Sequence, residues 1–260
     1  MIAPIMIACG ERYAKLAEIS VQSFLKHHKV MLYVVADEIA EKVLSKIQSK
    51  NLFIVSLGKY KEEAVKAVGS PDFCVFQMDE DGVHDRIYSS LKPLIMDSVI
   101  NDVAPESKYI LALDVDTLFS GNILDKVVLE LNRIQHKYDL YMVRREDPRM
   151  HSIGHDRPGS GFTLWKRSGR FVELFREGFR ESFTGRWGGS QELTHQLRKK
   201  IPSMLFEDPL LHFVSPDQKN PKMTDKEILE LKPAYIHLHG ENSYERLLRF
   251  KKIFEKNEAS

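Results

Sequence analysis

The sequence predicts an α/β protein, a single domain in which a mostly parallel central sheet is flanked by helices. Three observations carry this prediction. Short apolar runs alternate with stretches of helical periodicity over roughly the first hundred residues, the pattern of right-handed βαβ units. A buried-looking run, YILAL at residues 109–113, ends directly on Asp114-Val115-Asp116. No internal repeat, low-complexity linker or break in composition divides the 260 residues. A chain of that length can bury one large core without metal or disulfide staples.

Taken in order, residues 2–9 are an apolar first strand stopped by Gly10. No basic leader precedes this run and Glu11-Arg12 follows it, so it is expected to be a strand and not a signal peptide. Leu16, Ile19, Phe24 and Leu25 space a helix over residues 13–26. The run VMLYVVA at 30–36 is a second strand closed by Asp37, with a helix over 39–49 and a third strand over 52–57. A helix over 89–99 is expected to be interrupted near Pro93. After the acidic triplet the expected elements are a helix at 123–133 and strands at 139–143 and 161–165. Further helices are expected at 171–179 and 187–199, then a strand at 234–238 and an amphipathic helix at 244–256. Residues 144–160, rich in Pro, Gly, His and charge, form a long surface loop able to order over a ligand, and four prolines between 202 and 221 make that region loop-rich.

Composition excludes several classes. Lys plus Arg number 38 against 37 Asp plus Glu, and the net charge of +1 creates no global field for nucleic acid. The clusters Lys166-Arg167, Arg198-Lys199-Lys200 and Lys251-Lys252 lack interleaved aromatics and read as solvated faces, so no nucleic-acid partner is expected. Cys9 and Cys74 make neither a disulfide framework nor a structural zinc site. His151 and His155 sit among Pro148, Gly154 and Pro158, which argues for a loop over a helical metal pair. No apolar run nears the ~20 residues of a membrane span. The expected location is the cytoplasm, with peripheral membrane contact through the basic terminal helix left open.

The chemistry concentrates at Asp114-Val115-Asp116. Ligands of open α/β sheets gather outside the carboxyl ends of strands, and two carboxylates there can hold a hard divalent cation. The plain alternative is that Asp116 caps a turn and Asp114 is a solvated strand end.

Other motifs in order, IMIACGERY, a segment carrying Arg86 and Lys92, YILALDVDTLF, GSGF, GSQEL and HLHG, run over most of the chain. With them the sequence resembles the GT-A nucleotide-sugar glycosyltransferases, in particular the branch of glycogenin and the bacterial lipopolysaccharide galactosyltransferases. The resemblance implies a Rossmann-like GT-A fold, with a donor-nucleotide half at about residues 1–120 and an acceptor and sugar half at about 121–260. It implies that Asp114, Asp116 and a late histidine hold Mn²⁺ or Mg²⁺ against the donor diphosphate. His237 matches the His-x-x-Gly element; His239, on the same face of a strand, is its rival. Gly240 is followed by Glu241 and not by the family's usual lysine, and Arg246 is a substitute or a helix-surface charge.

The resemblance also places donor contacts at Ala8, Cys9, Tyr13, Arg86, Lys92, Asp114, Val115, Asp116, Gly161 and Gly240. Tyr13 would stack on the base while backbone groups of Ala8 or Cys9 read its edge; alternatively Tyr13 only starts a helix. Arg86 and Lys92 serve the diphosphate or sugar, or form surface ion pairs. Gln191 and Glu192 fall where similar proteins keep groups near the reacting centre, although Ser190 replaces the usual acid and is equally suited to capping a helix.

The implied function is a metal-dependent glycosyltransferase moving a sugar from a UDP-sugar to a hydroxyl acceptor on a glycan, lipid or protein, with retention. Retention is expected because the branch with a late His-x-x-Gly is mostly retaining and no separate base is visible on the sugar's far face. The rivals are a nucleotidyltransferase, which would want a richer glycine and basic loop than Gly10-Glu11-Arg12, and a nucleotide-sugar-binding module with degenerate catalytic residues.

Overall fold

The computed structural model describes residues 1–68, 91–143, 159–182, 189–206, 213–214, 224–230, 232–238 and 243–258. The first half alternates as expected: β1 (Ile2–Ala8), α1 (Gly10–His27), β2 (Leu32–Ala36), α2 (Glu38–Leu44), β3 (Leu52–Ser56) and α3 (Leu57–Val68). Next come α4 (Lys92–Val103), β4 (Tyr109–Leu113), β5 (Thr117–Phe119), α5 (Ile123–Arg133) and β6 (Leu140–Val143). The remainder contains β7 (Gly159–Lys166), α6 (Phe171–Ser182), α7 (Gly189–Leu197), β8 (Ser203–Phe206), β9 (Phe213–Val214), α8 (Asp225–Glu230), β10 (Tyr235–His237) and α9 (Ser243–Glu258).

Among the described residues, seven strands form the central sheet in the order β3-β2-β1-β4-β7-β6-β8. The sheet is mostly parallel: β3, β2, β1 and β4 run together, as do β6 and β8, and β7 alone opposes its neighbours β4 and β6. Strand alternation splits the core in two. Met6, Ala8, Val34, Leu111 and Leu113 face α1, α2, α5 and α9. Ala3, Ile5, Ile7, Ile110 and Ala112 face α3, α4, α6 and α7. Because both faces are covered, these strands are continuous apolar runs without polar alternation. A second, three-stranded sheet has the order β5-β10-β9, with β10 antiparallel to β5. Among the described residues no helix is long and apolar enough to cross a membrane.

Some expected elements shift. The helix expected to break near Pro93 instead begins at Lys92, with Pro93 in its first turn. A proline there loses no intrahelical bond, because the first N–H groups of a helix have no partner to lose. Helix α3 and strands β5 and β8 were not among the expected elements.

Helix α1 is capped at its C-terminus by His28, a buried side chain that joins three elements. Its Nδ1 donates to Phe24 O at 2.8 Å and its Nε2 accepts from Ile123 N at 3.1 Å, which fixes the neutral tautomer. The ring stacks on Phe24 and meets Phe119 edge-on. Burial lowers its pKa to about 4, with His27 adding to the shift and the Phe24 carbonyl and Asp125 opposing it. The unfolded chain therefore takes up a proton near pH 6.5 that the folded chain refuses until about pH 4. The contribution is fully present above that window and lost as pH falls through it, by up to roughly 3 kcal/mol. Urea titrations of wild type and His28→Gln across pH 7.5 to 4.5 are expected to show the wild type losing more stability by about that amount. Parallel curves would remove His28 from the pH response.

Candidate metal centre

The carboxyl ends of β1, β2 and β4 meet two turns. At the first, Gly10 takes a positive φ of 81°, which a residue without Cβ accepts at no steric cost. Asp37, at the end of β2, closes this turn. Its Oδ2 accepts from Gly10 N at 2.7 Å and from Cys9 Sγ at 3.3 Å, while its Oδ1 caps α2 through Ala40 N at 2.8 Å. Tyr13 follows in the first turns of α1, half-buried against the α1 side of the core.

The second turn carries the acidic pair. Strand β4 ends at Leu113, and Asp114 N continues its pairing with β7 by donating to Gly161 O at 3.1 Å. Val115 is buried, which anchors the turn between the two acids. Strand β5 then opens at Thr117, directly opposite His237 in the antiparallel ladder with β10. Leu238 N donates to Asp116 O at 2.9 Å. This register brings His237 beside both acids: its Nε2 lies 2.9 Å from Asp116 Oδ1 and 3.3 Å from Asp114 Oδ2.

The electrostatics follow from that convergence. Burial pushes the His237 imidazole down, but the Asp116 and Asp114 carboxylates outweigh it and raise its pKa to about 9. Burial pushes the Asp114 carboxyl up; the Lys92 ammonium, ion-paired with its Oδ1, and then His237 reverse this and hold it well below the usual carboxylate range. Tyr235 donates its hydroxyl to Gly161 O at 2.6 Å, and burial with the two nearby carboxylates keeps it protonated.

One carboxylate oxygen from each acid and one imidazole nitrogen lie within 4.8 Å of one another, a set that could hold a metal ion and the one such cluster among the described residues. Two hard oxygens and an imidazole suit a borderline divalent ion. Gly161 makes room for the His237 ring: a Cβ built there would stand 2.3 Å from His237 Cε1 and 2.4 Å from Nδ1. Gly161 thus lies under the histidine ring, a packing duty added to the sugar approach that the resemblance implies.

No family model and no curated protein matches the chain by sequence. Solved structures do match by shape. Mouse xyloside xylosyltransferase 1, in its apo form, aligns over 91% of this chain and 97% of its own with a TM-score of 0.58 at 14% identity. An active-site mutant of LgtC aligns over 97% of this chain and 95% of its own with a TM-score of 0.59 at 14% identity. LgtC, a galactosyltransferase solved with donor and acceptor sugar analogs, aligns over 98% and 96% with a TM-score of 0.57 at 13% identity. The fold is that of the GT-A glycosyltransferases.

Within this GT-A fold the expected residues separate into those brought together and those elsewhere. Lys92, Asp114, Asp116, Gly161 and His237 form one cluster, with Lys92 on Asp114. Ala8, Cys9 and Tyr13 line the neighbouring turn at the end of β1. Gln191 and Glu192 fall in the first turn of α7, which places their backbone alone. Arg86, His239, Gly240 and residues 144–158 of the expected loop at 144–160, with His151 and His155, lie outside the described residues, and Gly159 and Ser160 open β7 instead. Arg246 and Arg249 both pair with Asp225 of α8, and Arg246 Nη2 lies 2.9 Å from Asp225 Oδ1. Sequence reasoning missed Asp37 as the clasp of the first turn, Tyr235 as the anchor of Gly161, and the hydroxyls of Ser20, Ser23 and Thr117. For the serines a signal existed, since they interrupt an otherwise apolar stripe of α1.

Proposed function

We propose that this chain is a metal-dependent glycosyltransferase that moves a sugar from a nucleotide diphosphate donor, a UDP-sugar, to a hydroxyl acceptor with retention. The observation that carries the proposal is the convergence of Asp114, Asp116 and His237 at the strand ends of a GT-A fold. A divalent ion, Mn²⁺ or Mg²⁺, would be held by these three residues and would neutralise the diphosphate as the glycosidic bond breaks. Lys92, now on Asp114, is near enough to add a fixed cation to the same diphosphate. The turn at Ala8 and Cys9 receives the base, with Tyr13 stacking on it. Arg86 and Gly240 complete the donor site. LgtC has a glutamine in its active site, and Gln191 with Glu192 are the proposed groups near the sugar here.

The proposed retention rests on the mostly retaining branch that the sequence resembles and on there being no separately placed base among the described residues; the departing phosphate would accept the acceptor's proton. Glu192 then stabilises cationic character at the sugar. A glycan, a lipid or a protein can supply the hydroxyl.

Incubation with a panel of nucleotide sugars and Mn²⁺, followed by chromatography, tests the reading. Nucleoside diphosphate plus free or transferred sugar is expected. Pyrophosphate release would indicate nucleotidyl transfer, and binding without turnover a degenerate module. NMR of the product's anomeric centre decides stereochemistry, and an inverted centre overturns retention.

Stacking of an aromatic ring on a base is worth roughly 1–3 kcal/mol by truncation. Tyr13→Ala is therefore expected to weaken UDP binding about tenfold in calorimetry. Unchanged affinity would leave Tyr13 with core packing alone.

A further inference from the structure

Helix α1 carries two serines on its buried side, Ser20 fully enclosed and Ser23 nearly so. A serine inside a helix usually satisfies its hydroxyl on its own preceding turn. Ser20 instead reaches across to the metal turn. Its Oγ donates to Val115 O at 2.6 Å, also contacts Thr117 O, and accepts from Thr117 N at 3.2 Å. These backbone groups flank Asp116 on both sides. Ser23 continues the clasp, since its hydroxyl accepts from Phe119 N at 3.1 Å and donates to Ser20 O at 2.9 Å. The Thr117 hydroxyl closes it from within the turn by donating to Asp114 O at 2.7 Å.

We propose that Ser20 is a positioning residue for the metal centre, setting the backbone around Asp116 so that the Asp116 carboxylate and the His237 imidazole converge on one ion. This rests on the metal-dependent reading of the site. The coupling is geometric. Thr117 is the residue Ser20 grips, and it is also the ladder partner of His237, so displacing it moves a carboxylate ligand and the imidazole ligand together. The contacts are made by neutral hydroxyls: Ser20 Oγ meets backbone groups of Val115 and Thr117 and also lies 3.2 Å from the Thr117 hydroxyl. Loss of the hydroxyl leaves the Thr117 amide and the Val115 carbonyl buried without this partner, and the turn must move to recover one. Tyr13 lies seven residues, two helical turns, before Ser20 on the same helix, roughly 10 Å along its axis. One rigid element therefore carries both the proposed base contact and the grip on the metal turn.

The test is Mn²⁺ binding to the full chain without donor, measured by electron paramagnetic resonance, alongside thermal melting. Ser20→Ala is expected to weaken Mn²⁺ about 10- to 100-fold, the cost typical of losing a group that orients a ligand. Val21→Ala, a neighbouring truncation in the core of the same helix, controls for lost stability and is expected to keep Mn²⁺ affinity within about twofold while lowering the melting temperature. Should Ser20→Ala fail to fold, Thr117→Val, which keeps the side-chain shape but removes the hydroxyl that meets Ser20 Oγ at 3.2 Å and bonds Asp114 O, is expected to weaken Mn²⁺ at least about tenfold. Ser20→Ala binding Mn²⁺ as wild type does, or both helix variants losing Mn²⁺ in step with their melting temperatures, overturns the positioning role. Unchanged Mn²⁺ affinity in Thr117→Val does the same. Wild type that binds no Mn²⁺ overturns the metal reading itself, and that result is distinct from the others.

Discussion

Asp116→Asn is expected to abolish sugar transfer, with a loss of roughly 10²–10³-fold or more in kcat/KM, the scale seen when a preorganised electrostatic group at the reacting centre is removed. Asparagine is the informative replacement. Asp116 Oδ1 sits 2.9 Å from Nε2 of a histidine that is 0% exposed, and an alanine would take away both the ligand and the partner of that buried ring. The amide oxygen keeps the contact and removes the charge, so the melting temperature of the metal-free protein is expected to stay within a few degrees. Mn²⁺ affinity should fall in step with activity. The complementary experiment is chelation: excess EDTA is expected to silence the wild type, and Mn²⁺ to restore it. Full activity in chelator would refute metal dependence whatever the variant does.

Gly161→Ala is expected to be nearly as damaging although it adds one methyl group. The new Cβ would stand 2.3–2.8 Å from three atoms of the His237 ring, closer than carbon atoms approach without something moving. The ring cannot easily yield, because Asp114 and Asp116 contact its Nε2. Nor can the strand, since Gly161 O accepts from both Asp114 N and the Tyr235 hydroxyl. Overpacking of this kind costs about 1–3 kcal/mol of stability. Displacing a ligand from its oriented position costs about 10- to 100-fold in metal affinity. Calorimetric titration with Mn²⁺ and a thermal melt measure both, and a Gly161→Ala protein that binds Mn²⁺ like wild type would exclude His237 as a ligand.

Much of the parallel half of the sheet was legible because its strands are buried on both faces. Residues 2–8, 32–36 and 109–113 are nearly unbroken apolar runs, bounded by Gly10, Asp37 and Asp114. Helix α3 was not legible: its buried positions, Leu57, Tyr60, Ala64 and Val68, are sparse among Lys and Glu. Strand β5 is three residues long and has no periodicity of its own; it becomes a strand by pairing with β10. The antiparallel run of β7 between β4 and β6 was equally hidden, because side-chain alternation is the same in either direction.

For the site, the sequence by itself determined that two carboxylates stand two residues apart at the end of a buried strand, since both features depend on neighbouring residues. Its resemblance favoured His237 as the third candidate ligand and kept His239 as the rival, because alternation puts both on one face. Tertiary structure pairs His237 with Thr117, so that its ring meets Asp114 and Asp116, while His239 lies outside the described residues. It also put Gly161 beneath that ring, Lys92 on Asp114 and Ser20 across the turn. Those contacts join residues 22 to 123 positions apart, and they are set by ladder register and helix packing, which a local pattern of apolar and polar residues does not encode.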